Sequence, residues 1–253
     1  MNKLMTNVVG IGFLSMGFVM PAIADMDKIN KSFEVSRDSH LNLSNINGSV
    51  SISAWDKNII EVTAVIETDN ERDRERISII MDNNSRGVNV ETKYENNSSW
   101  NRHNSGSVSY TVMVPKEANL SQIELVNGSL SIENVKGEVS VELVNGSMVA
   151  KGMAGNSEVS SVNGSIKVHY ASADDALSRI ELETVNGSVK LYLPEDVSAS
   201  VDVETMHGSI KNDFGLRSDK QMFIGKELHG DIGSGDVKIS IESVNGSVKL
   251  LKE

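Results

Sequence analysis

Five carboxylates recur in one phase. Glu124, Glu142, Glu183, Glu204 and Glu242 each stand four residues before a glycine. Paired acids on neighbouring strands are the equipment of polysaccharide-active enzymes, where one carboxyl donates a proton while the other acts as base or nucleophile. A catalytic pair should be local and unlike its neighbours, however, and a shared phase is what any repeat produces.

The remaining chemistry is sparse. His40, His103, His169, His207 and His229 are scattered with no pair at ligand spacing on one readable element, so a structural or solvated role outweighs metal ligation. Residues 230–236, GDIGSGD, resemble one calcium-binding glycine-aspartate repeat, but such sites need stacked copies. No Gly-x-Ser-x-Gly elbow and no phosphate loop is present. Catalytic, metal and cofactor residues are therefore expected to be none.

The serines that follow Asn-Gly sit where a turn uses a hydroxyl to bond its own backbone. The Asn-Gly-Ser triplets at Asn47, Asn127, Asn145, Asn163, Asn186 and Asn245 match the N-glycosylation pattern, and turn chemistry explains all six without modification. Exposed Asn-Gly pairs are also chemically prone to deamidation.

These positions are organised by a repeat. ELVNGS occurs at 124–129 and again at 142–147, and glycines recur every nine residues from 128 to 164. Reading from ten such glycines (48, 128, 137, 146, 155, 164, 187, 208, 235 and 246), the second and fourth residues after each are apolar except Ser157 and Asn212. The first and third are Ser, Lys, Glu, Asp or Asn except Val149. A period of two means that each glycine opens a strand with one buried and one wet face. Glycine is expected to supply a positive φ at the turn, with Asn, or His207 in its slot, as the residue that best tolerates the left-handed region beside it.

Two architectures fit this spacing. In an antiparallel meander, Asn-Gly hairpins place Glu183 opposite Lys190, Glu204 opposite Lys211 and Glu242 opposite Lys249, which is favourable. In a solenoid of about eighteen residues per coil the corners stack, and Lys167, Lys190 and Lys211 form a like-charged column. Some sixteen strands exceed the roughly ten at which an open twisted sheet curls or splits, which favours stacking. The expected fold is all-β, a solenoid-like stack of short strands with Asn-Gly corners, parallel β-helix-like; the alternative is a curled antiparallel meander.

Residues 25–253 are read as one all-β strand-repeat domain, with irregular strands over 25–115 and the Asn-Gly repeats over 116–253. Early strands are expected at 32–36, 41–44, 49–53, 59–67, 77–81, 87–93 and 107–114. A charged run over 69–76 reads as a solvated loop or one helical turn, and 95–106 as a polar loop.

Residues 1–24 combine Lys3, an apolar run from Val8 to Met20 and Pro21-Ala22-Ile23-Ala24, the pattern of a cleaved export signal. The run is short of the ~20 residues of a membrane span, and no second hydrophobic span follows, so no transmembrane segment is expected after cleavage. With no cysteine, neither a lipid-modified cysteine nor a disulfide is available. Removing 1–24 leaves 23 basic against 35 acidic side chains, a formal charge of −12, which disfavours nucleic acid and anionic lipid as general partners.

Two segments, GSVSISAWDKNIIEVTAVIE (48–67) and VSYTVMVPKEANLSQIELVNGSLSIENVKGEVSVELVNGS (108–147), resemble the bacterial putative-adhesin family of envelope β-strand-repeat proteins. Trp55-Asp56, Val114-Pro115 and the Asn-Gly repeats carry the resemblance, which spans roughly 32–250. It implies a solenoid-like all-β fold exported to the cell envelope, with no established enzymatic activity and no catalytic residues to carry over. Relatives often carry Asn-Gly-Asp where this chain has Asn-Gly-Ser, which removes acids from the corners and weakens a calcium reading.

The leading expectation is an exported non-enzymatic envelope protein, in the periplasm or at the surface. Its repetitive polar face would bind an envelope component, polysaccharide or protein partner, with Ser129, Ser147, Ser165, Lys167, Lys190 and Lys211 as candidate contacts. The alternatives are a polysaccharide-active β-helix enzyme and a ligand-free envelope-stress scaffold. Ice binding lacks its flat arrays of alternating Thr.

Overall fold

The computed structural model describes residues 25–95, 106–172, 177–220 and 225–253. Residues 1–24, read as an export signal, His103 and most of the polar loop at 95–106 lie outside the described residues. In chain order the first strands are β1 (Asp25–Glu34), β2 (His40–Asn47), β3 (Val50–Trp55), β4 (Ile59–Thr68), β5 (Ile77–Asn84), β6 (Gly87–Tyr94) and β7 (Ser107–Pro115). The repeat region supplies β8 (Asn119–Asn127), β9 (Leu130–Glu133), β10 (Val139–Asn145), β11 (Met148–Met153), β12 (Ser157–Asn163), β13 (Ile166–Tyr170), β14 (Arg179–Asn186) and β15 (Val189–Leu193). The last strands are β16 (Ala199–His207), β17 (Ile210–Asn212), β18 (Ser218–Lys220), β19 (Lys226–Ile232), β20 (Val237–Asn245) and β21 (Val248–Lys252). The one helix among the described residues, α1 (Glu71–Glu75), fills the charged run, with the Asn70 side chain accepting from the Asp73 backbone N–H at its start.

These strands make a two-sheet solenoid. Sheet A runs β1-β4-β7-β3-β9-β11-β13-β15-β21-β17, and sheet B runs β18-β19-β16-β20-β14-β12-β10-β8-β2-β6-β5. Each coil contributes one strand to each sheet, and neighbouring coils pair in parallel, for example Val139 with Ser157 and Ile166 with Val189. The antiparallel meander is thereby overturned. Glu183 aligns with Glu242 and Lys190 with Lys249, so the residues that hairpins would have paired lie on different sheets.

Why the coils stack is visible at the corner. A Cβ on Gly128, Gly146, Gly164, Gly187 or Gly246 would stand 1.6 to 2.0 Å from the carbonyl oxygen of the neighbouring coil's corner glycine. The expected positive φ is found only at Gly48 among the Asn-Gly-Ser glycines. The reason for glycine is therefore close approach rather than backbone handedness, a correction to the turn reading. A second column at the opposite corner repeats the device, with a Cβ on Gly155 falling 2.4 Å from the Gly137 oxygen.

The asparagines complete the corner. Asn127 donates its side-chain amide to Asn47 at 3.0 Å, and Asn145, Asn163, Asn186 and Asn245 each donate to the previous coil's asparagine at 2.9 to 3.0 Å. Beneath this ladder Gly128 N–H donates to the Asn145 carbonyl and Gly146 N–H to that of Asn163. Deamidation needs the glycine nitrogen to reach its own asparagine's side chain, and both groups are held elsewhere.

Inside, the aliphatic rows form one continuous cluster in which Val139, Val141, Ile166 and Val189 are buried. The two polar exceptions to the inner row have separate explanations. Ser157 faces inward and hydrogen-bonds the hydroxyl of buried Tyr170 at 2.7 Å. Asn212 lies on the short terminal strand β17 and binds both the N–H and the carbonyl of Leu216.

Chain order and stacking order differ at both ends. The coil β2/β3 comes first in the chain but stands between β6/β7 and β8/β9, and the last coil, β20/β21, stands between β14/β15 and β16/β17. Beyond them, antiparallel β1, β4, β5, β18 and β19 finish the sheets. Trp55 closes the β3–β4 turn by donating to the Ile59 carbonyl, and Asp56 pairs with Lys116.

Replacing Gly164 by alanine is expected to cost about 1–3 kcal/mol or more in urea unfolding, whereas Ser165→Ala is expected to cost a few tenths. Burial pushes the Tyr110 hydroxyl, bonded to Thr92, up to about 12. The neutral phenol is the form the fold favours, so its contribution is intact below the ordinary value of about 10 and is lost as pH rises towards 12. Over that window unfolding free energy should fall by about 2–3 kcal/mol more in the wild type than in Tyr110→Phe.

Candidate functional site

Because the two sheets enclose a common core, their outer faces point in opposite directions and carry different chemistry. On sheet B the glutamates align across successive coils: Glu124 with Glu142, Glu142 with Ser160, Ser160 with Glu183, Glu183 with Glu242 and Glu242 with Glu204. Strands are about 4.8 Å apart, so this is a column of carboxylates interrupted once by a serine. Two residues further along each strand runs an apolar column of Val126, Val144, Val162, Val185, Val244 and Met206, 36% to 53% exposed. At the C-terminal end of the stack the two columns line an open groove of about 320 Å³ formed by Ser160, Val162, Glu183, Val185, Glu242, Val244, Glu204 and Met206.

Sheet A carries the opposite charge. Lys167 aligns with Lys190, Lys190 with Lys249 and Lys249 with Lys211. The column read from the spacing thus exists and has a fourth member, Lys249. Its stems are partly covered: Lys167 Nζ lies 5.3 Å from the centre of the Tyr192 ring, and that ring stacks on His169 at 4.0 Å. His169 Nδ1 in turn bonds the Glu253 carboxylate at 2.9 Å.

The predicted contact serines form their own row beside the corner. Ser129, Ser147 and Ser165 are exposed and adjacent, with Ser165 N–H donating to Ser147 Oγ at 3.2 Å. The structure therefore places all six candidates on the outer side of sheet A, in two columns three and one residues after the corner glycines.

One group escaped the sequence reading. Asp202 and Glu204 on β16 meet His229 on β19, with His229 Nδ1 3.0 Å from Asp202 Oδ1 and potential ligand atoms within 4.8 Å of one another. All three are exposed. They are brought together by antiparallel pairing of Asp202 with His229, which no spacing within one element signals. Gly230–Ile232 end β19 and Gly233–Asp236 form the β19–β20 turn, where hydrogen bonds from Ser198 and Ser234 hold the Asp236 carboxyl below the usual carboxylate range.

A known family model matches the chain over residues 24–251. The chain belongs to the Toastrack DUF4097 family. A solved structure titled as a putative cell adhesion protein from Clostridium sporogenes is 14% identical, with 90% of this chain and 100% of that chain covered and a TM-score of 0.57. One titled as a putative adhesin from Bacteroides fragilis is 12% identical over 88% of this chain and 96% of that chain, with a TM-score of 0.40. No curated protein matches the chain. At this identity the Clostridium likeness shows a shared fold alone.

In this Toastrack chain the lysine column works against the fold, since like charges directly opposite across a ladder are unfavourable. Lys249→Glu should therefore raise unfolding free energy by roughly 0.5 kcal/mol at low ionic strength, and the gain should shrink towards zero at about 1 M salt, read from urea midpoints.

Proposed function

We propose that the protein is an exported, non-enzymatic envelope scaffold whose sheet A face binds an anionic envelope component. The observation that carries this reading is the unbroken column Lys167–Lys190–Lys249–Lys211, kept together despite the cost of adjacent like charges. The net acidity of the whole chain does not cancel it. At physiological salt charges beyond about 8 Å are screened, so a ligand at the column meets the lysines first. The exposed serine row of Ser129, Ser147 and Ser165 adds hydroxyl donors and acceptors along the same face. Residues 1–24 read as an export signal supply the location, in the periplasm or at the cell surface.

An enzymatic reading has one observation in its favour, the carboxylate groove of sheet B. Glu183 and Glu242 sit on adjacent strands, near the ~5 Å separation of retaining glycosidases. Acid and base roles, however, need environments that drive two carboxyls apart, and these two are exposed side chains in equivalent positions of consecutive coils. The groove fits binding better than catalysis.

The test is retention of the purified protein on immobilised phosphate-bearing cell-wall polymer and on vesicles of outer-membrane glycolipid. Wild type should be retained at about 0.1 M salt, and the Lys167→Glu, Lys190→Glu, Lys211→Glu triple variant should bind at least roughly tenfold more weakly, about 1.4 kcal/mol. Equal retention of both, or of neither, would remove the reading.

A further inference from the structure

We propose that the lysine column of one copy of this chain seats on the glutamate groove of a second copy, and that repetition of this contact builds an open linear series. The inference rests on the reading of the sheet A face as a contact surface and names a partner for it.

Three coils supply both halves of the contact. β14/β15 carries Glu183 and Lys190, β20/β21 carries Glu242 and Lys249, and β16/β17 carries Glu204 and Lys211. In each, the glutamate is four residues before the corner glycine and the lysine three after it, so the two columns run back to back at nearly equal distance from the corner edge. They also follow the same stacking order, with the same rise of about 4.8 Å per coil.

A second copy displaced across the thickness of the two sheets, without rotation, therefore brings each lysine over the glutamate of the corresponding coil. Displacement without rotation also preserves whatever twist the stack has, so the match extends over all three coils. The charges are complementary at the level of single rungs.

Two further observations favour a second copy over a foreign cation. Within one chain each column repels itself, and the opposite column relieves both at once. The apolar column flanking the groove, ending in Met206 at 53% exposure, gives the seated face something to exclude water from. Because the two contacting surfaces differ, the contact is heterologous and does not close after two copies.

The experiment is sedimentation velocity on the purified chain across a concentration series at about 0.05 M and about 0.5 M salt. At low salt the weight-average mass should at least double with rising concentration, and at high salt it should fall back to the monomer. A variant with Lys190→Glu and Lys249→Glu has two acidic faces, and one with Glu183→Lys and Glu242→Lys has two basic faces. Each alone should be monomeric, and an equimolar mixture should associate again. Carbodiimide coupling of isotopically distinct wild-type copies should yield intermolecular Lys249–Glu242 links.

Association that ignores both variants, or variants that are not rescued by mixing, overturns the proposal. A wild-type monomer at every salt that is still retained on wall polymer overturns it while leaving the binding reading intact. Self-association without polymer retention does the reverse.

Discussion

The structure depends on one steric contact, that of a corner glycine lying against the carbonyl oxygen of the next coil's glycine. With a Cβ the separation would be under 2 Å at Gly146, Gly164, Gly187 and Gly246, well inside any real carbon–oxygen contact. Only a bare backbone lets the coils close to normal strand spacing at the corner, where the chain changes sheets. Once they do, the asparagine before each glycine falls over its neighbour and the amide ladder forms without further adjustment. Ladder and close approach thus fix the same register, and every other row of the molecule inherits it.

That inheritance has a cost on the outside. A parallel stack places like residues over like, so a favourable valine row inside is accompanied by lysine on lysine and glutamate on glutamate outside. The fold tolerates this because both columns are solvated, and because aromatic and apolar neighbours such as Tyr192 cover part of the lysine stems. Solenoids also leave open ends, and here the chain manages them by threading. The first and last coils each enter the stack inside one further parallel coil, held on two sides, while antiparallel strands or the three-residue β17 occupy the terminal positions.

Much of this was legible in the residues. Strict alternation after each glycine located the inner rows, and Val139, Val141, Ile166 and Val189 are buried as the alternation requires. Most early strands fall within a residue or two of their expected places, although β1 begins at Asp25 rather than at residue 32. Two things were hidden. The opposite charges four before and three after each glycine suggest a hairpin pair, yet the same spacing places them on opposite faces once the corner turns between sheets. Spacing alone does not separate the two. The order of coils was equally silent, because Glu183, Glu204 and Glu242 belong to repeats whose text is nearly interchangeable. The insertion of β20 between β14 and β16, which makes the groove, is set by the threading rather than by any local motif. The Asp202–His229 meeting is long-range for the same reason.

A repeat multiplies every residue it contains, so a conserved-looking column says little about use, and departures from the repeat say more. The sheet A column changes from Ser51, Ser131 and Val149 to an unbroken run of lysines at β13, and over the same coils sheet B gathers its groove. The inner row at the corner runs Asn45, Leu125, Leu143, Ser161, Thr184, Ser243 and Thr205, polar at both ends of the stack; Asn45 donates to the Val108 carbonyl, and Thr184, Ser243 and Thr205 donate to corner carbonyls of a neighbouring coil. Hydroxyls there tie the corner down in the half of the stack where the outer faces are most charged. Two outer faces altering at the same height is not required by stacking, since the coils β8/β9 and β10/β11 stack equally well without it. The C-terminal half of the solenoid is therefore the part whose outer faces have been specialised, with the N-terminal half and its antiparallel cap providing the platform on which those coils are built.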